Sequence, residues 1–310
     1  MEDIIKNPIN YSGSKSRILD LIKPNLPQDC TTIIEPFGGT FEVALNTKFD
    51  KRIYNDKNQY LYSLIEMLKR RDVSDILQYL ETAINQWGLS KNDKANFYKF
   101  RDDFNKSWAI YLKLDVSVSN YKDIALVRLL ALIYHSFNYF ITFDKDGNYI
   151  NTSGFNRSWF NPYLRQKLIK YQRALKDMVT EMYNMDFSEF YFDILAREKR
   201  IRDKDCENPL KGTFWFIDPP YVNSDDTYSR TSGLKWTTKN EEDLYSMCDS
   251  IDKHGGKFML TNTIECNGKK NEPLIEFSKK YNTINTDCDF YGCSYQRKNS
   301  KTKEIMVKNY

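Results

Sequence analysis

Residues 214–221 combine residue types that could perform chemistry on an amino group. An apolar run ends there in Asp218, Pro219, Pro220 and Tyr221, and open α/β sheets bind ligands at such strand ends. The Asp218 carboxylate and the Pro219 carbonyl can each accept one hydrogen of an exocyclic nucleobase amine, which makes its nitrogen more nucleophilic. The prolines hold that carbonyl rigidly, and Tyr221 can stack on a base that has been flipped out of a duplex. An Asp-Pro-Pro turn is also a common loop, so the motif alone leaves a structural role open.

Two other strand ends carry residues suited to holding a nucleotide-like cofactor. The predicted strand 31–35 ends in a glycine turn, whose residues are Glu35, Pro36, Phe37, Gly38 and Gly39. Glycines let the backbone approach a ligand closely. The predicted strand 52–55 is followed by Asp56, whose carboxylate can accept hydrogen bonds from the two hydroxyls of a ribose. Each feature is weak by itself, but their order and spacing together favour a cofactor site.

The elements that must position these residues alternate between strands and helices at both ends of the chain, which predicts an α/β fold with a doubly wound sheet. Strands are predicted at 31–35, 52–55, 213–217 and 257–261, and a terminal hairpin is predicted to close at 304–308. Helices are predicted to start at about 41, to follow Asp56 through about Arg70, and to span 241–253 and 273–280. Helical periodicity also marks 73–85, 92–108, 124–137 and 162–178. A hairpin is predicted from strands 140–143 and 149–152, with an Asp-Gly turn between them. A mainly helical module at about 58–182 therefore interrupts the α/β domain.

The composition is that of a folded, water-soluble protein, since 41% of the residues are hydrophobic and 28% are charged. No apolar stretch is long enough to span a bilayer, and residues 1–10 lack the features of a signal peptide, so we expect a cytoplasmic protein. The 6 cysteines form no CxxC pair and there are 2 histidines, which indicates neither a disulfide framework nor a metal site. The net charge of +4 is mild, but segments 6–17, 157–173 and 297–308 are locally basic, which suits either a polyanion or ordinary solvated surfaces. The charged run 197–211 is most simply a solvated loop.

The order of these motifs resembles that of the Dam-type, α-class DNA adenine-N6 methyltransferases, especially their phage-type members, over nearly the whole chain. An N-terminal motif at 10–15, Asn-Tyr-Ser-Gly-Ser-Lys, adds to the resemblance. The resemblance implies a Rossmann-like sheet of the kind found in S-adenosyl-L-methionine-dependent methyltransferases. It further implies a catalytic domain formed by 1–57 and 183–310, and an inserted, mainly helical target-recognition domain at 58–182 that carries the β-hairpin.

The resemblance also implies roles for individual residues. The implied catalytic residues are Asp218, Pro219, Pro220 and Tyr221. The residues implied to hold S-adenosyl-L-methionine are Tyr11, Lys15, Glu35, Pro36, Phe37, Gly38, Gly39, Asp56, Asp186, Phe187 and Asp218. Those implied to contact double-stranded DNA are Phe137, Asn138, Thr142, Asn148, Asn156 and Arg157. Family members that read GATC carry an arginine where this chain has Thr142, so GATC is not implied as the target.

The reaction implied by the resemblance is a direct, in-line transfer of the methyl group to adenine N6, with no covalent enzyme intermediate and no metal. Three alternatives stay open: N4 methylation of cytosine, methylation of a protein glutamine or an RNA base, and a catalytically silent DNA-binding regulator. The implied partners are double-stranded DNA and, as a further candidate, a cognate restriction endonuclease, with no membrane. The implied location is the cytoplasm of a bacterial or phage-infected cell.

Overall fold

A computed structural model describes residues 4–11, 14–112, 119–202, 206–223, 236–286 and 302–310. Its contacts divide the chain into two compact units. The described parts of Met1–Ser14 and Asn58–Val179 form a helical unit, and those of Lys15–Lys57, Thr180–Thr227 and Lys235–Tyr310 form a sheet unit. The division after Lys57 coincides with the boundary expected from the sequence. Residues 4–11, expected in the first segment of the catalytic domain, group instead with the helical unit.

Helices and strands alternate along the sheet unit, whereas the helical unit contains helices that follow one another directly. The helices are α1 (Leu19–Ile22), α2 (Glu42–Leu45), α3 (Gln59–Arg70), α4 (Val73–Trp87), α5 (Lys94–Leu112), α6 (Ser119–His135), α7 (Pro162–Met178), α8 (Phe187–Arg202), α9 (Thr238–Lys253) and α10 (Glu272–Ser278). The strands are β1 (Thr32–Glu35), β2 (Lys51–Asn55), β3 (Glu181–Tyr183), β4 (Thr213–Ile217), β5 (Lys257–Cys266), β6 (Lys269–Lys270), β7 (Asn282–Asn285) and β8 (Thr302–Lys308). Within the described residues, no helix is long and apolar enough to cross a membrane.

The described strands form one sheet in the order β3-β2-β1-β4-β5-β8-β7, with β6 paired to β5. Neighbours from β3 to β5 are parallel, whereas β8 runs antiparallel to both β5 and β7. Because β2 and β4 flank β1 on opposite sides, the strand order reverses between β1 and β4, and ligands of open α/β sheets bind at such a reversal. The predicted α/β class and doubly wound sheet are thereby confirmed.

The core of the sheet unit surrounds β4, whose residues are all buried. A central parallel strand covered on both faces needs such a continuous apolar run. Trp215 is fully buried, with its ring centroid 5.7 Å from that of Tyr191 and 6.2 Å from that of Phe190 on α8. The motif that follows β4 is therefore attached to a fully buried strand of the sheet.

The prediction of a solvated loop at 197–211 is wrong in its first part, because α8 continues to Arg202. Ion pairs hold this end of the helix: Arg197 pairs with Glu181, and Arg202 lies 3.7 Å from Glu198 one turn earlier. Leu210 is fully buried, so the end of the run also packs into the core. Charge alone did not reveal that a helix carries the first part of the run.

The helical unit is organised around α6, which the other helices cover. Residues 129–134 of α6 are all 0% exposed, and a helix that is apolar on all sides belongs in an interior. Next to it, the Trp108 ring on α5 lies 4.9 Å from Phe104 and 6.0 Å from Phe143. Phe143 belongs to the predicted hairpin, so this aromatic packing anchors the hairpin to α5.

The hairpin has the predicted turn but lacks regular strands. Gly147 adopts a φ of +82°, and the Asp144 carboxylate accepts hydrogen bonds of 2.9 Å from the amides of Asp146 and Asn148. Only isolated antiparallel bridges form between its arms within the described residues, at 143 with 149 and at 136 with 153. The Tyr149 hydroxyl and the Asn151 amide both donate to the Phe140 carbonyl, at 2.8 and 3.2 Å. Side chains thus satisfy a backbone group that a ladder would otherwise use.

Candidate active site

The acid of the Asp-Pro-Pro-Tyr motif is held firmly on one oxygen. Asp218 Oδ1 accepts from Lys15 Nζ at 2.7 Å and from Thr261 Oγ1 at 2.7 Å, and it lies 3.2 Å from the Tyr221 hydroxyl. Thr261 reaches it because β5 lies beside β4 in parallel register. Among the described residues, no group donates a hydrogen bond to Asp218 Oδ2 or to the Pro219 carbonyl. The motif therefore presents two acceptors whose orientation is fixed by their neighbours.

Lys15, at the start of the short 3-10 helix Lys15–Arg17, is a buried cation between two acids. Its Nζ lies 2.7 Å from Asp218 and 3.6 Å from Glu304 Oε1, and it donates to the Tyr221 hydroxyl at 3.1 Å. Burial by itself lowers the pKa of Lys15, but the charges of Asp218 and Glu304 outweigh it and raise the pKa above its usual value. Lys15 is thus positively charged and compensates the acids around it.

Tyr221 is held by its hydroxyl. Burial, followed by the charges of Asp218 and Glu304, raises the pKa of Tyr221 well above its usual value, so the hydroxyl keeps its hydrogen. That hydroxyl donates to Glu304, a residue that we did not select from the sequence beyond its place in the closing strand. The only signal for Glu304 was an acid directly before the apolar residues 305–307 of a strand.

The glycine turn after β1 is shaped by the neighbouring strand β2. Gly38 donates to the Asn55 carbonyl at 2.7 Å, Gly39 donates to Asp56 Oδ2 at 2.9 Å, and the Tyr54 hydroxyl donates to the Gly39 carbonyl at 3.0 Å. A Cβ atom on Gly38 would lie 2.4 Å from the Tyr54 ring, so the turn admits only glycine there. Asp56, predicted to bind a ribose, is 5% exposed and has one oxygen engaged by the turn.

Glu35 is a buried acid whose visible contact is structural. It is 3% exposed, and its Oε1 accepts from the Ala44 amide at 2.7 Å, within α2. Burial raises the pKa of Glu35 well above its usual value, assisted by the charges of Asp218 and Glu42 and opposed by the Ala44 amide. The neighbouring Pro36 carbonyl accepts from the Asn55 side chain at 2.9 Å. These bonds hold the turn against α2 and β2.

An aromatic cluster brings the glycine turn and the start of α8 together. The ring centroids of Phe37 and Phe187 are 5.3 Å apart, and each lies 5.6 Å from that of Trp236. Trp236, which we did not select from the sequence, donates from Nε1 to the buried Glu241 at 2.9 Å. Asp186, which was predicted with Phe187 as a cofactor-binding residue, forms an ion pair with Lys57. It also accepts a hydrogen bond from the Ser188 amide at 3.0 Å, so it caps the start of α8.

One predicted cofactor residue falls outside the sheet unit. Tyr11 is buried and groups with the helical unit, and its amide donates to the Ile9 carbonyl at 3.0 Å. The rest of its motif includes Ser12 and Gly13, which lie outside the described residues. Within the described part of the chain, no group of three or more His, Cys, Asp or Glu side chains could hold a metal ion.

The residues predicted to contact DNA fall into two groups within the helical unit. Asn138 has a φ of 55°, and its carbonyl accepts a hydrogen bond from the Asn10 side chain. The Thr142 carbonyl accepts a hydrogen bond from the Ile150 amide. The Asn148 side chain donates to Asp144 at 3.1 Å, so it closes the turn and is less available to a partner than we expected.

The second group contains exposed basic and aromatic side chains. The exposed Arg157 guanidinium lies 5.8 Å from the Phe137 ring centroid, and Asn156, with a φ of 63°, donates from its amide to the Lys91 carbonyl. Two lysines that we did not select from the sequence extend this surface. Lys91 Nζ lies 5.9 Å from the ring of Trp159, and Lys94 Nζ lies 4.8 Å from the ring of Phe155.

Several known proteins are similar in sequence to this chain. A family model described as D12 class N6 adenine-specific DNA methyltransferase matches residues 11–289. The chain is 29% identical over 308 residues to Type II methyltransferase M.FokI of Planomicrobium okeanokoites, a match covering 99% of this chain and 43% of that protein. It is 26% identical over 329 residues to Type II methyltransferase M.MjaIII of Methanocaldococcus jannaschii, covering 99% of both. It is 37% identical over 100 residues to the DNA adenine methylase of Escherichia coli K12, covering 32% of this chain and 34% of that protein. The chain thus spans about two fifths of the length of M.FokI.

Proposed function

This chain belongs to the D12 class N6 adenine-specific DNA methyltransferase family, and from that premise we propose that it transfers a methyl group from S-adenosyl-L-methionine to N6 of adenine in a short duplex target. The observation that carries the proposal is the pair of acceptors at the end of β4. Asp218 Oδ2 and the Pro219 carbonyl receive no hydrogen bond from the described residues. The Asp218 carboxylate is held in place through its other oxygen by Lys15 and Thr261. An amino group offers two hydrogens, one for each acceptor.

The residues around the glycine turn fit the cofactor. Gly38 lets the turn pack against the Tyr54 ring, which lies 2.4 Å from where a Cβ atom would stand, and this packing sets the course of the backbone proposed to hold the cofactor. Phe37 and Phe187 supply apolar ring surface for the adenine of S-adenosyl-L-methionine, and Asp56 lies where the ribose hydroxyls would bind. When bound, the cofactor supplies an electrophilic methyl group on a positively charged sulfur. Glu35 and Asp186 would act by holding the walls of this site, because their contacts are with α2 and α8.

The protein's part in the reaction is orientation of the base and removal of a proton. By accepting its two hydrogens, Asp218 Oδ2 and the Pro219 carbonyl would draw electron density toward N6. The bound cofactor would supply the methyl group, and the electron pair of the broken methyl-sulfur bond would stay on the sulfur while the nitrogen pair forms the new bond. The nitrogen then bears one hydrogen too many, and Asp218 Oδ2 is the acceptor already in contact with it. Tyr221 presents its half-buried ring beside this position, where a flipped base can stack.

The helical unit supplies the DNA contacts in this proposal. The exposed Arg157 and the half-buried Phe137 form a cation-π pair. Both side chains are suited to a groove: the guanidinium to a guanine edge and the ring to the gap left by the flipped base. Lys91 and Lys94 can contact phosphates. Thr142 cannot make the bidentate contact that an arginine makes with guanine, so we expect a target other than GATC.

The site of action in this proposal is the cytoplasm, where the DNA of a bacterial or phage-infected cell is accessible. Two relatives are named Type II methyltransferases, and a cognate restriction endonuclease is therefore a proposed partner.

Expression in a host that lacks adenine methylation tests the proposal. Single-molecule sequencing of the host DNA should show N6-methyladenine in one short sequence context, and mass spectrometry of digested DNA should show no N4-methylcytosine. The Asp218→Ala variant should leave the DNA unmodified. N4-methylcytosine as the product, or unmodified DNA with the wild-type chain and no cofactor binding by calorimetry, would contradict the proposal.

A further inference from the structure

We propose that Glu304 is a positioning residue of this site, which keeps Asp218 a strong acceptor by taking the hydrogen of the Tyr221 hydroxyl and sharing the charge of Lys15. The inference rests on the proposed function and adds a residue that does not itself touch the substrate. Glu304 lies on β8, whose neighbours in sequence, residues 305–307, are fully buried and apolar. A carboxylate in that place is costly unless it is compensated.

The burial of Glu304 is nearly complete. Its side chain is 0% exposed, and burial raises the pKa of Glu304, although Lys15 and the Tyr221 hydroxyl act in the opposite direction. Within the described residues, its Oε2 has no hydrogen-bond partner. Replacing a complete buried ion pair by apolar side chains is often neutral or favourable for stability. Stability alone therefore does not require a pair of Glu304 with Lys15 at this position.

The contacts of its other oxygen lead to the catalytic acid. Glu304 Oε1 accepts from the Tyr221 hydroxyl and lies 3.6 Å from Lys15 Nζ. The same two groups contact Asp218 Oδ1, at 3.2 and 2.7 Å. The two carboxylates are thus joined through one hydroxyl and one ammonium group.

A tyrosine hydroxyl has a single hydrogen, so it can donate fully to only one of these acids. Of the two contacts that the Tyr221 hydroxyl makes with the acids, the one with Glu304 is the shorter. Lys15 in turn donates a hydrogen bond to the oxygen of the Tyr221 hydroxyl. Asp218 consequently keeps its electron density for the amine of the base. Without the negative charge of Glu304, the hydroxyl hydrogen would turn to Asp218, and Asp218 would be the remaining acid of the two that faces Lys15. Both changes weaken Asp218 as an acceptor.

The test is the single-turnover methyl-transfer rate of Glu304→Gln on a duplex oligonucleotide that carries the mapped target. Glutamine keeps the shape and removes the charge, and we expect the rate to fall by about tenfold to a hundredfold. The dissociation constant for S-adenosyl-L-methionine, measured by calorimetry, should change less than about threefold, because the Glu304 carboxylate contacts Tyr221 and Lys15 and not the glycine turn. Glu265→Gln is the matched control, since that acid lies on β5 with a surface pairing to Lys303 at 3.5 Å.

A double-mutant cycle separates this role from a merely structural one. In a Tyr221→Phe background no hydroxyl hydrogen can be redirected, so adding Glu304→Gln should cost less than it does in the wild-type chain. If Glu304→Gln does not fold, as judged by circular dichroism, Glu304→Asp keeps the charge but withdraws it by one methylene, and its rate should still fall with cofactor affinity retained.

The outcomes are distinguishable. No methyl transfer by the wild-type chain would mean that the proposed function has failed. A wild-type chain that is active, together with an unchanged rate in Glu304→Gln, or in Glu304→Asp if only that variant folds, would overturn the role of Glu304. Fully additive effects in the cycle would do the same.

Discussion

Replacing Gly38 by alanine is expected to destabilise the sheet unit and to weaken cofactor binding at the same time. The added Cβ would lie 2.4 and 2.5 Å from two ring carbons of Tyr54 and 3.0 Å from the Asn55 carbonyl. Ordinary contact begins at 3.4 Å, so the ring would have to retreat by about 1.0 Å, from 3.4 minus 2.4 Å. Tyr54 is 0% exposed and packs at 5.2 Å against Phe41, which leaves it little space to move.

Overpacking of this kind costs about 1 to 3 kcal/mol. The cost would not stay local, because the Tyr54 hydroxyl donates to the Gly39 carbonyl and the Gly39 amide donates to Asp56. A displaced Tyr54 ring therefore moves the turn proposed to hold the cofactor. Urea denaturation measures the loss of stability, and titration calorimetry with S-adenosyl-L-methionine measures the loss of affinity.

Two further variants isolate the cause. Gly268→Ala is the control: its φ of +79° makes a side chain strained, but no atom lies within 4 Å, so stability should fall by about 1 to 2 kcal/mol with unchanged affinity. Adding Tyr54→Leu to Gly38→Ala removes the clashing ring and should restore part of the cofactor affinity. A Gly38→Ala chain as stable as the wild type, with the same affinity, would refute the reasoning.

Four other variants test separate parts of the molecule. Asp218→Asn keeps the shape of the acid but replaces an acceptor by a donor in one orientation, so the methyl-transfer rate should fall by about a hundredfold to a thousandfold with cofactor binding retained; full activity would contradict the assigned role. Because burial raises the pKa of Glu35, the folded chain holds a proton that the unfolded chain releases, and stability should fall as the pH rises from the usual carboxyl pKa toward the raised one. Glu35→Gln should flatten this dependence in urea titrations across pH, and an unchanged slope would show that Glu35 is not its source. Lys94→Ala should reduce the slope of log affinity for duplex DNA against log salt by about 0.9, measured by fluorescence anisotropy; an identical slope would remove Lys94 from the DNA surface. Arg157→Ala should instead cost about 1 to 3 kcal/mol of discrimination at one base pair, measured as the ratio of the methylation rates on matched and mismatched targets. The same ratio in the variant and the wild type would exclude a base contact by Arg157.

Elements with a strong local pattern were predicted with accurate bounds. The strand at 213–217 and the helix at 162–178 match the structure at both ends, because a continuous apolar run and a regular helical stripe bounded by proline are local signals. By contrast, β3 was missed, and β7, which pairs with β8 as the expected terminal hairpin requires, was given no bounds. β3 has three residues of intermediate exposure, and β7 is mostly exposed, so neither shows the alternation or the apolar run that identifies a strand.

The helix α8 was also missed, and for a different reason. Its apolar residues in 187–195 are followed by a dense charged run, which we interpreted as a loop. The helix is supported by tertiary contacts, including those of Phe190 and Tyr191 with Trp215 and the pairing of Arg197 with Glu181. Partners far away in sequence override a weak local pattern.

The sequence by itself determined the motifs at the strand ends, since a buried run, a glycine turn and a proline pair act over a few residues. The family followed from the order of those motifs. Only the tertiary structure decided that Lys15 and Glu304 meet at Asp218 and that Trp236 joins Phe37 and Phe187. These meetings depend on the strand order, which places β4 between β1 and β5 and inserts β8 beside β5. Local periodicity reports which face of an element is buried, but the packing of all strands together selects which side chains share that interior.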